Sequence, residues 1–189
     1  MEADWEIEIG PEFPMIDAHW PGYVDLRQTP AVVQQLPEVA LLQGLDEALI
    51  RLNGMGSPVW TAKCDVWQLA TDEFDADEMD ATLESATCGR GLYIDLLSTS
   101  GQQWTSPAMA ISWCKGICGL LKKISIPCCR VDMIIRQGAI APDGLDTHME
   151  LGITAYLTSC GPTSLDANLV LQAALNRFVD ALCGPSTVE

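Results

Sequence analysis

Four short stretches of the chain carry an aspartate inside an alternating run: YVDLR (residues 23–27), WTAKCDVW (60–67), YIDLL (93–97) and RVDMIIR (130–136). Alternation with a period of two is the pattern of a half-buried strand, so each aspartate should stand on the polar side of its strand. Carboxylates on adjacent strands, here Asp65, Asp95 and Asp132, could converge on a divalent ion such as Mg²⁺ or Mn²⁺. Lys63 or Arg136 would then neutralise an anionic small-molecule substrate. The same residues also fit a second chemistry. Lys63, Asp65, Asp95, Asp132 and Arg136 would form cross-strand ion pairs, and Trp67 with Tyr23, Tyr93 and Tyr156 would break that lattice with flat apolar area. Charged forks mixed with rings suit a ligand or partner surface.

Bases this close to the carboxylates satisfy them, which weakens the metal reading. The expectation is therefore a non-catalytic module that binds a protein partner or a small molecule through Lys63, Asp65, Trp67, Asp95, Asp132, Arg136 and Tyr156. The Mg/Mn enzyme is the alternative. No dedicated metal site and no cofactor is expected. The sequence contains no G-x-S-x-G elbow, no P-loop, no GxGxxG before a helix and no HExxH.

Composition limits the partners. The 189 residues include 26 acids against 10 Lys and Arg, a formal net charge of −16. Nucleic-acid affinity rests on Lys and Arg releasing counterions from phosphates, so nucleic acid and anionic membranes are not expected partners. No apolar run approaches the ~20 residues of a membrane span, and the acidic start MEADWEIEIGPEF does not read as a signal peptide. A cytoplasmic protein is expected, with its eight cysteines reduced. Cys114 and Cys118 share a helical face, but that face also carries Ile117 and Leu121, so these thiols read as core filling. The aromatic area of the Trp60–Trp67 strand region, together with Trp5, Trp20, Trp104 and Tyr156, suggests a homodimer.

The elements that must position these residues follow from the patterns. Residues 1–22 read as an N-terminal arm or edge strand, with alternation over Trp5–Ile9. Residues 22–29 read as a strand with Tyr23, Asp25 and Arg27 on its polar side. A helix is expected from about Pro37 to Asn53, preceded at Thr29-Pro30 by the cap-and-proline pattern of a helix start. Residues 70–88 form an acidic insert. Asp75 and Glu78 are spaced there as a capping box, which predicts a solvated helix with Met79, Leu83 and Ala86 packed down. Helices are expected after Ser106-Pro107 and from a Ser164 cap, strands over the YIDLL, RVDMIIR and LGITAYLTSCG stretches, a Pro142-Asp143-Gly144 turn, and a flexible tail at 184–189.

One domain of 189 residues is expected, of the α+β class. The order spells a ferredoxin-like βαββαβ core with an additional strand and a C-terminal helix. A mixed sheet covered by helices on one face explains the alternation, because a sheet buried on both faces reads as continuous Val, Ile and Leu. A three-layer α/β domain is the alternative.

Overall fold

A computed structural model of the chain describes residues 1–18, 20, 22–82, 86–100, 104–141 and 147–185. The strands are β1 (Glu2–Glu8), β2 (Ile16–Asp17), β3 (Val59–Leu69), β4 (Cys88–Ser98), β5 (Cys129–Ile140) and β6 (His148–Gly161). The helices are α1 (Leu45–Asn53), α2 (Pro107–Leu121) and α3 (Ser164–Cys183). The architecture is α+β, with a mixed six-stranded sheet. Its order is β1-β5-β6-β4-β3, with β2 continuing beside β1 on the same edge of β5. β1 and β2 run parallel to β5, and every other pairing is antiparallel.

One face of the sheet carries the core. Val66, Leu92, Ile94, Leu96, Val131, Met133, Ile135, Ile153, Ala155 and Leu157 are buried there with the apolar stripes of all three helices. In α2 the stripe is Ala110, Cys114, Ile117, Cys118 and Leu121. In α3 it is Ala167, Leu171, Ala174, Leu175, Phe178, Val179 and Leu182. These spacings of three and four are what a helix needs to bury one side. The two-layer, one-sided arrangement expected from the alternation is therefore the one observed.

The strand order differs from the ferredoxin-like expectation. That order needed residues 22–29 to be the first core strand, but they form turns. Asp25 explains why: its carboxylate takes the Arg27 N–H at 3.0 Å, and its carbonyl takes the N–H groups of Gln28 and Thr29 at 3.1 and 3.0 Å. Donors satisfied locally are not available to a sheet ladder. The parallel neighbour of β5 is instead β1, the acidic N-terminal strand.

Other boundaries move for similarly local reasons. The helix expected from Pro37 begins at Leu45, after a 3-10 turn (Pro37–Ala40) and a left-handed Gly44 with φ 82°. Thr29-Pro30 does start a helical segment, a 3-10 helix over Pro30–Gln35. Among its described residues, the acidic insert has one 3-10 turn, Asp77–Met79. There the Asp75 carboxylate accepts from the Asp77 N–H at 2.9 Å, as a cap would, but Asp80 takes a left-handed conformation with φ 53° and ends the turn. The cap of α3 is Thr163, whose hydroxyl accepts from the Asp166 N–H, and Ser164 is the first helical residue. Ser106 caps α2 as expected. The Pro142-Asp143-Gly144 turn, Leu83 and residues 186–189 of the expected tail lie outside the described residues. No described helix is long and apolar enough to cross a membrane.

Candidate functional site

The site begins with an irregularity in β3. Thr61 pairs with Leu96 and Lys63 pairs with Asp95, leaving Ala62 as an extra residue. A bulge reverses the inward–outward alternation on either side of itself. Cys64 and Val66 therefore face the helices, whereas Trp60, expected beside them, faces the opposite side of the sheet. Thr61, expected on the outer face, instead points to the helices and holds Asn53 at the end of α1 through a 2.7 Å bond.

Trp60 is 4% exposed and packs on the outer face with Ile16, Ala18, Ala62, Leu97 and Ile140. Its indole N–H donates to the Ser98 carbonyl at 3.3 Å, and the Arg27 guanidinium lies 3.8 Å from its ring centre. The segment after β1 thus closes one end of the outer face. The acidic insert closes the other end. Met79 is buried there with Ala86 and Cys160, and Phe74 lies against Gly89.

Between these two covers runs an open strip crossed by rings. Trp67, Tyr93 and Tyr156, on β3, β4 and β6, are spaced 6.1 and 5.9 Å centre to centre. Trp67 lies down across Gly91, where any Cβ would come within 2.5 Å of the indole. The glycine is what allows the ring to lie flat. All three rings are half-buried.

Charges frame the rings. Asp95 is buried and accepts from the Thr154 hydroxyl at 2.6 Å. Burial pushes its carboxyl above the ordinary range, against the pull of Thr154, Arg136 and Lys63. Arg136 pairs with Glu8 of β1 at 2.8 Å and stands 5.8 Å from the Tyr156 ring centre. Lys63 stands 6.0 Å from the Tyr93 ring centre. Its ammonium is favoured by the Tyr93 hydroxyl and then by Asp95 and Asp65. Arg130 bridges Asp132 at 2.8 Å and Glu78 of the insert at 2.8 Å.

All seven residues singled out from the sequence lie on this face, but they do not form one cluster. The three aspartates are kept apart by rings: Asp65 stands opposite Tyr93 in register, and Asp132 stands opposite Tyr156. Among the described residues, no three Asp, Glu, His or Cys side chains come together as a metal-binding group. Trp67, Asp132 and Tyr156 do converge. They line a groove of about 430 Å³ with Asp4, Glu6, Glu73, Arg130 and Thr158.

Sequence reasoning did not place Asp4, Glu6 and Glu73 in this site. The signal was present in β1, where Glu2, Asp4, Glu6 and Glu8 alternate. Nothing local says which strand β1 will join, so the alternation alone marks an edge strand and not a site. The geometry can bind and orient a guest through rings and carboxylates. Most of its bases are already held by protein acids. No protein-family model matches the chain, and neither a curated protein nor a solved structure matches it significantly.

Proposed function

We propose that the protein is a non-catalytic binding module that takes a protein partner or small molecule on the open strip of its sheet. The observation that carries this reading is the row Trp67–Tyr93–Tyr156, left half-exposed between two segments that cover both ends of the same face. Bare aromatic area on a chain of this charge is expensive to leave in water, and rings give much contact area for little lost side-chain entropy. The surrounding charges favour binding over proton transfer. Arg130, Asp132, Arg136 and Glu8 are engaged with one another or with neighbours, and a general acid or base needs access to the reacting atoms.

A fragment screen followed by ¹⁵N correlation spectra tests the reading, with the Trp67 indole N–H as reporter. Aromatic fragments are expected to shift Trp67 and its neighbours on β4 and β6, and to lose that effect in Trp67→Ala. Fragments that shift only residues on the helical side, such as Arg51 and Asp180, would overturn it.

A further inference from the structure

We infer that the occupant of the strip is a basic segment of a partner protein, held through its Lys or Arg side chains. This deepens the binding-module reading and rests on it. The groove beside Trp67 and Tyr156 adjoins a second cavity of about 220 Å³ at the acidic insert; Glu73, Arg130, Asp132 and Thr158 line both. The walls of the two cavities carry Asp4, Glu6, Glu73, Asp75, Glu78 and Asp132. Arg130 is the one base among the lining residues, and Asp132 and Glu78 hold it.

Two features show that the excess negative charge is not resolved inside the protein. Asp4 and Asp132 stand directly opposite each other on β1 and β5. Like charges in register oppose strand pairing. Asp132 also sits above the ordinary carboxylate range, chiefly through burial, and Asp4 and Glu78 push it further up against the opposing pull of Arg130. A cation placed between these carboxylates would relieve both.

The rings supply the other half of the recognition. Trp67 and Tyr156 line the groove beside the carboxylates, and a desolvated ammonium or guanidinium is attracted to an aromatic face. Two adjoining cavities with acids along both accommodate more than one cationic group, as a peptide presents and a single small cation does not. A second copy of this chain would bring acid against acid. The overall charge of −16 adds long-range attraction for a basic partner.

The test uses the whole chain and a labelled hexalysine peptide at about 0.1 M salt, where exposed charges beyond roughly 10 Å are screened. Asp4→Asn with Glu6→Gln removes two groove charges at exposed positions. Glu12→Gln with Glu47→Gln removes two exposed charges elsewhere. The groove pair is expected to weaken hexalysine about tenfold and the remote pair less than about twofold, with the groove pair melting at or above the wild type, because Asp4 no longer faces Asp132 as a like charge, and the remote pair near it. Hexalysine should also shift the Trp67 indole N–H.

Equal weakening by both pairs would mean unspecific attraction and would overturn the inference. Tetramethylammonium binding as tightly as hexalysine would overturn it in favour of a small-cation site. If aromatic fragments shift Trp67 and hexalysine does not, the basic-partner assignment fails while the binding face stands. If neither shifts Trp67, both fall.

Discussion

Thr154 donates its hydroxyl to Asp95 at 2.6 Å across the β4–β6 pairing, in the middle of the outer face, where Thr154 is 1% exposed and Asp95 9%. A neutral partner orients the carboxylate without neutralising it. Arg136 and Lys63 act from farther away, and burial outweighs them.

That balance sets a pH dependence. Because the folded-state pKa of Asp95 is raised, the folded protein holds the proton more readily than the unfolded chain. The stability linked to this group is fully present below the ordinary value of 3.8 and is lost as pH rises through the raised value. Asp95→Asn keeps an acceptor for Thr154 and removes the charge. It is expected to match or exceed the wild type by up to about 1 kcal/mol at pH 7, with the difference closing towards pH 3. Asp95→Ala removes the acceptor from a buried hydroxyl and should cost about 1–2 kcal/mol. Urea unfolding at the two pH values measures this. An Asp95→Asn protein less stable than wild type at pH 7 but not at pH 3 would show that Arg136 and Lys63 hold the charge favourably.

Trp60 anchors the segment that closes one end of the face. Trp60→Ala should lose about 3–5 kcal/mol, as expected for emptying a site that a buried indole fills. Arg27→Ala, which removes the guanidinium from above that ring together with its ion pair to Asp25 at 2.8 Å, should lose about 0.5–1 kcal/mol. Similar losses from the two changes in denaturant unfolding would show that the ring is held by its contact with Arg27 rather than by the apolar cluster beneath the segment.

Two glycines separate a packing role from a site role. A Cβ on Gly161 would lie 2.6 Å from the Ala167 backbone nitrogen in the first turn of α3. Backbone cannot swing aside, so Gly161→Ala should cost at least about 2 kcal/mol. A Cβ on Gly91 meets the Trp67 ring instead, which can turn towards solvent. Gly91→Ala should cost about 1 kcal/mol or less but move the indole N–H resonance of Trp67 and remove its response to ligands. A Gly91→Ala protein with an unchanged Trp67 resonance and response would show that the flat ring is not required.

All eight cysteines are free thiols. Burial pushes Cys64, Cys114 and Cys160 up to about 12, and Cys118 and Cys129 to about 11. The thiolate is the reactive form. These five should resist a thiol reagent in the folded protein at pH 8, and nearly all eight should react once the chain is denatured. Fast labelling of Cys114 or Cys64 in the native state, located by mass mapping, would contradict their placement.

Much of this molecule was legible in local patterns. The alternation of YIDLL, RVDMIIR and LGITAYLTSCG marked three strands with helices on one side, and the spacing of Leu171, Leu175, Phe178 and Leu182 marked the last helix. Both signals come from side chains that must share one face of one element, so neighbouring residues carry them. The outward position of Lys63, Asp65, Trp67, Asp95, Asp132, Arg136 and Tyr156 follows from the same periods. Tertiary structure decided the rest. The extra residue at Ala62 turned Trp60 over, and a bulge exists only in a pairing with another strand, here β4. The local bonds of Asp25 removed a strand that alternation had suggested. β1 then took the place beside β5, which set Asp4 against Asp132 and built the acidic wall of the groove. That β1 becomes the neighbour of β5 depends on contacts more than a hundred residues apart. No window of sequence around Asp4 or Asp132 holds that information.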